Sequence, residues 1–259
     1  MEPINNQDWI NTEANENFFR EVFYSRIAKK NLTDMQFLKE NVIDLVHLVS
    51  PDMLEAIQSD PGPYRFYLEK YQENEWYLKL GRSEIEEKNN AYYLPYMNGP
   101  DGWEKAQILV PRLPTRDLFV FTGSMQGCSL IICHHGDSLL LIHDNQPVEN
   151  FEKIKQTYSD AILFRLDDAP NGLLFEERYL DSFYKPDATY GRIDAPLEYI
   201  DGCNFLYFDS TTENWFLITQ NQGRYNNDLS RKDFLVKLDR KLGTTIINIF
   251  SKQRVENIH

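Results

Sequence analysis

A cysteine thiol and a histidine imidazole held side by side can attack a carbonyl carbon, because the imidazole takes the thiol proton and the thiolate is the nucleophile. One segment of this chain offers that combination: Thr122-Gly-Ser-Met-Gln-Gly-Cys128-Ser-Leu-Ile-Ile-Cys-His-His-Gly-Asp-Ser-Leu-Leu-Leu-Ile-His143. Apolar runs flank His-His-Gly-Asp, a turn signal, so the segment is expected to be a β-hairpin. A two-residue turn at Gly136-Asp137 pairs Leu130 with His143 and sets Cys128 diagonal to His143 on the same face. A four-residue loop over His134 to Asp137 sets Cys128 directly opposite His143. Odd-length loops put thiol and imidazole on opposite faces. The same two residues also fit an ordinary hairpin core.

The remaining histidines and cysteines fit the role less well. His134 shares the face of Cys128 but lies six residues along the strand, about 20 Å away. His135 points the other way, His47 falls in an apolar helical pattern, and His259 ends the sequence. Cys133 alternates to the face opposite Cys128 and reads as a buried hydrophobe. Cys203 opens a similar run, Gly-Cys-Asn-Phe-Leu, but Thr219 stands near the place of His143, and threonine is no imidazole base. His134, His135 and Asp137 do not converge as metal ligands, and no Gly-rich phosphate loop appears, so neither metal nor cofactor is expected.

The elements that must position this pair follow from periodicity. Gln107 to Val110, Leu118 to Phe121, Ile162 to Leu166 and Thr244 to Phe250 read as strands, and Asn204 to Phe208 with Asn214 to Thr219 reads as a second hairpin. Val148 to Thr157 reads as an amphipathic helix, as does a segment capped by Ser230. Leu173 to Phe183 fits helix or strand. The first third reads as helical: Phe18 to Ile27 recur at helical spacing, Thr33 with Gln36 forms a capping-box signature, and Ser50-Pro51 opens a helix over Met53 to Gln58. Tyr64, Tyr67, Leu68 and Tyr71 continue that spacing as an aromatic stripe. The expected fold is α+β, with a helical N-terminal region over 1–88 and a β-sandwich over 89–259.

Composition bounds the function. With 259 residues, 42% hydrophobic and 14% aromatic, the chain can bury a sizeable core. A formal charge of −13 argues against nucleic acid or anionic membranes as the main partner. Three cysteines without paired spacing suggest reduced thiols. Neither a signal peptide nor a transmembrane helix is expected, and a monomer is the expected state.

Thr122, Gly127-Cys128 and a histidine fifteen residues on resemble the cytotoxic necrotizing factor and Burkholderia lethal factor family of glutamine deamidases. The motif covers about twenty-five residues, and the domain resemblance runs over roughly Asn90 to Phe250. Gln126 stands where that family usually has Ser. The resemblance implies a β-sandwich, Cys128 as nucleophile, His143 as base and acid, and Thr122 completing a triad by fixing the imidazole tautomer. An ordinary threonine hydroxyl bonding its own strand is the alternative for Thr122. Backbone amides around Gly127 and Ser129 would bind the oxyanion. The implied partner is a host protein, either a small Rho-type GTPase or a translation-initiation helicase, reached by a signal-peptide-independent secreted effector or toxin. The same pair would serve a transglutaminase or thiol peptidase, and a non-catalytic binding module remains open.

Overall fold

A computed structural model describes residues 25–45, 62–72, 75–81, 89–97, 99–123, 125, 127–167, 197–225, 244–251 and 254–255. Strands dominate, and the fold is α+β with few helices. The expected helices at Met53 to Gln58 and after Ser230 and the ambiguous Leu173 to Phe183 lie outside the described residues.

Helix α1 (Ser25–Leu32) and helix α2 (Met35–Glu40) are followed by strand β1 (Val42–Asp44). Asp34, not Thr33, is the N-cap of α2, its carboxylate accepting from the amides of Gln36 and Phe37. Thr33 Oγ1 instead donates back to the Lys29 carbonyl at the end of α1, at 3.0 Å. The aromatic stripe read as helical is strand β2 (Arg65–Gln72), paired with β3 (Glu75–Gly81). Burial explains this correction: Tyr64, Phe66 and Leu68 are buried, as are Leu78 and Leu80, and that is the period of a strand. Strands β1, β3 and β2 form a three-stranded sheet in that order.

The large sheet has six strands in the order β13-β12-β11-β10-β6-β4. These are β4 (Ala91–Leu94), β6 (Leu118–Thr122), β10 (Leu197–Asp209), β11 (Asn214–Tyr225), β12 (Thr244–Asn248) and β13 (Arg254–Val255). One face packs Phe119, Phe121, Phe205 and Tyr207 against Phe66, Leu78 and Leu80 of the small sheet and Leu32 of α1. Gln220 ties the two together, donating to the carbonyls of Leu38 and Asn41 and accepting from the Ile43 amide. The described residues between Ala28 and Leu80 therefore share a core with the large sheet.

The other face of the large sheet covers a four-stranded sheet, ordered β5-β8-β7-β9. It contains β5 (Gln107–Pro111), β7 (Ser129–His135), β8 (Ser138–Asp144) and β9 (Ile162–Asp167). Leu118, Val120, Leu206, Phe208 and Trp215 from one sheet meet Ile108, Leu130, Ile132, Leu139 and Leu141 from the other. Two sheets face to face over an alternating core have the arrangement of a β-sandwich. Helix α3 (Pro147–Tyr158) covers the outer face of the four-stranded sheet through Ile154, against Ile131, Cys133 and Ile142.

Candidate functional site

The β7–β8 hairpin closes through Gly136 and Asp137, since His135 pairs with Ser138 and Leu130 with His143. Gly136 takes φ +61° while Asp137 stays at negative φ, the pattern of a type II′ turn, whose twist matches the strands it joins. Of the two even-length loops, the two-residue one is present. Cys128, one residue before β7, is thus diagonal to His143. Burial identifies the shared face: Cys128, Leu130 and Ile132 belong to the core between the sheets, with Leu139 and Leu141 of β8. Alternation turns Cys133 to the outer core under α3. Burial pushes the Cys133 thiol up to about 11, which suits a structural cysteine. Cys203 pairs with Gln220 in the large sheet.

His143 is held firmly. Its backbone amide donates to the Ala106 carbonyl at 2.9 Å, which extends the β5–β8 pairing. Next to it, Asp144 accepts from the Gln146 amide and from Asn150 Nδ2, locking the end of β8 to the start of α3. The imidazole itself points the other way, between the sheets, and meets Thr122 at the end of β6. Thr122 Oγ1 lies 2.7 Å from His143 Nδ1 and 3.0 Å from the Leu94 carbonyl oxygen. A carbonyl only accepts, so the single hydroxyl proton of Thr122 goes to Leu94. Both contacts are satisfied together when Nδ1–H donates to Oγ1. That leaves the Nε2 lone pair unprotonated, the tautomer a general base requires.

His143 and Cys128 are shielded from water, at 0% and 5% exposure. Desolvation lowers the imidazole pKa to about 4, so His143 is neutral at pH 7. Nε2 has no hydrogen-bond partner among the described residues. The thiol and the imidazole therefore share a face without being hydrogen-bonded at rest. Tyr96 covers the imidazole, its ring edge-on at 5.2 Å and itself 39% exposed.

Gly127 adopts φ +70°, a left-handed conformation that a side chain would strain, and turns the chain into β7. Ser129 lies in the ladder between Asp144 and Asp167. Amides of a central strand point in the sheet plane, which leaves Gly127 and Cys128 as the loop amides able to face the space between the sheets. Sequence reasoning passed over Asn204 and Thr219 as parts of this region. The signal for both was present as polar residues at inward positions of strands otherwise filled by Phe, Leu and Trp.

The sequence matches no protein-family model and no curated protein. Among the described residues, no helix is long and apolar enough to cross a membrane.

Proposed function

We propose that this chain is a cysteine-dependent protein glutamine deamidase. One observation carries the reading: the bond from His143 Nδ1 to Thr122, itself committed to the Leu94 carbonyl, leaves Nε2 as a base on the face that bears Cys128. A histidine buried only for packing has no need of a selected tautomer with its second nitrogen left without a partner. In the proposed reaction, Nε2 takes the Cys128 proton as the thiolate attacks the carboxamide carbon of a glutamine. The tetrahedral oxyanion rests on the Gly127 and Cys128 amides. As the C–N bond breaks, His143 returns the proton to the departing ammonia. Water, deprotonated by the same nitrogen, adds to the thioester, and the C–S bond breaks to give glutamate and the free thiol. The resting gap between thiol and imidazole closes when substrate displaces the Tyr96 cover.

The substrate is proposed to be a host protein, a small Rho-type GTPase or a translation-initiation helicase, met by a secreted effector. For a GTPase the logic is physical: the glutamine that orients the attacking water is lost, and the GTP state persists. The test is peptide-mapping mass spectrometry of host-cell lysate incubated with the protein, beside a Cys128→Ser control. A Gln→Glu change confined to one or two proteins and absent from the control supports the reading. An unchanged lysate together with an unreactive Cys128 rejects it.

A second reading, a non-catalytic binding module, draws on the burial of both residues and the missing thiol–imidazole bond. It requires Cys128 to resist alkylation, as a buried structural thiol would. Ammonia release without chain cleavage separates deamidation from proteolysis, and incorporation of a labelled amine identifies a transglutaminase.

A further inference from the structure

The geometry points to Asn204 as a further residue of this site, a side-chain donor to the oxyanion formed when Cys128 attacks a carbonyl; the inference rests on the deamidase reading. Strands β6 and β10 pair with Phe121 beside Phe205, and continuing that register by one residue sets Asn204 beside Thr122. Asn204 in turn pairs with Thr219 of β11. The alternation that puts Leu206, Phe208, Trp215 and Leu217 in the core between the sheets puts Asn204 and Thr219 on that same face. Thr122, Asn204 and Thr219 thus form a transverse polar row at the end of an otherwise apolar core, all three at most 3% exposed.

The order of strands says what this row faces. The large sheet runs β4-β6-β10 and the four-stranded one β5-β8-β7, with β4 against β5 and β8. Thr122 of β6 meets His143 of β8. One strand further in each sheet, Asn204 of β10 faces the end of β7 that follows Cys128. A direct contact agrees: Asn204 Nδ2 lies 3.3 Å from Sδ of Met125, a fully buried residue three positions before Cys128.

The hydrogen bonding of this row is incomplete. A thioether is a weak acceptor, so a buried amide N–H pointed at one recovers little of its lost hydration. Thr219 Oγ1 has no partner at all among the described residues. Buried donors with weak or missing acceptors are costly for a fold, and they are what an oxyanion site needs before substrate arrives. A carbonyl oxygen entering between Cys128 and β10 would take the Nδ2–H in place of Met125 and gain strength from it as negative charge develops.

The test uses the full chain with a γ-aldehyde analogue of N-protected glutamine amide, alongside Asn204→Ala and the near-isosteric Asn204→Leu. The Cys128 sulfur bonds to the aldehyde carbon, and the carbonyl π electrons pass to oxygen, which takes the thiol proton through His143 to give a thiohemiacetal. Its oxygen occupies the oxyanion position. Adduct affinity is read by intact-protein mass spectrometry, Cys128 accessibility by iodoacetamide labelling, and folding by thermal unfolding. Adduct affinity is expected to fall at least tenfold in both variants, and deamidation kcat about 100-fold. Iodoacetamide labelling should stay within about twofold. Adduct affinity within threefold of wild type, in whichever variant folds, overturns the inference. A parallel loss of iodoacetamide labelling also overturns it, because Asn204 would then only hold the Met125 loop. Wild-type protein that takes no aldehyde at Cys128 rejects both readings. Wild-type protein that takes the aldehyde but deamidates nothing rejects deamidation alone, and Asn204 is still judged by its affinity ratio.

Discussion

Replacing Thr122 with valine isolates the one contact on which the site reading depends. Valine keeps the volume and the β-branch and removes only the hydroxyl, which accepts from His143 Nδ1–H and donates to the Leu94 carbonyl. Thr122 is 3% exposed and His143 0%, so water cannot take over either role without opening the core. A buried polar group left unpaired costs about 1–3 kcal/mol, and two are orphaned here. Part of that cost is recovered because valine needs no desolvation, which gives an expected loss of about 2–4 kcal/mol. For a chain of this size that corresponds to a fall in Tm of roughly 5–15 °C. Thr122→Ser, which keeps the hydroxyl and loses one methyl, should cost about 1 kcal/mol. The tautomer is read directly by long-range proton–nitrogen NMR of the His143 ring, with Nδ1 protonated and Nε2 bare in wild type and in the serine variant. In the valine variant that selection is lost. If valine proves no more destabilising than serine, or if the wild-type ring carries its proton on Nε2, the reasoning fails.

Three further outcomes follow from the same geometry. His143 is neutral in the fold down to about pH 4, while in the unfolded chain it protonates near 6.5, so low pH favours unfolding. Its contribution is therefore fully present above about pH 6.5 and is lost as pH falls towards 4. The loss amounts to about 3 kcal/mol in denaturant titrations, and a His143→Gln variant should lose that part of the slope. Tyr96→Ala removes the ring that lies edge-on against the imidazole and lets water in. The His143 pKa in an NMR titration should then rise from about 4 towards 6.5, and an unmoved value would mean that other groups supply the desolvation. Iodoacetamide at neutral pH should modify Cys128 well before Cys133, whose thiol burial holds up at about 11. Equal rates would show global opening in place of access to the site.

The local grammar of the hairpin was legible in the sequence because a side-chain period of two is a covalent property of extended chain. Whichever even-length loop formed, Cys128 and His143 had to share a face. Helix α3 and strands β5, β6 and β9 were legible for the same kind of reason, each having one dominant periodicity. Strand β2 was not, because Tyr64, Tyr67, Leu68 and Tyr71 satisfy a helical period while Tyr64, Phe66 and Leu68 satisfy a strand period in the same residues. Short windows carry both signals, and the choice fell to the partner strand β3 and to Phe119 and Phe121, which Phe66 meets at 4.6 and 5.2 Å.

What the sequence determined by itself was the pairing of residue types and their faces: a thiol and an imidazole on the two arms of one hairpin, with a threonine six residues ahead of the thiol. What only the tertiary structure decided was contact. Thr122 reaches His143 because β6 and β8 belong to different sheets that pack face to face, and no local pattern states which strand of one sheet lies over which strand of the other. The same stacking turns three scattered polar residues, Thr122, Asn204 and Thr219, into one row. It removes water from the imidazole, and so sets its charge. Periodicity along a chain fixes direction, whereas burial and hydrogen-bond partners depend on what packs across the gap.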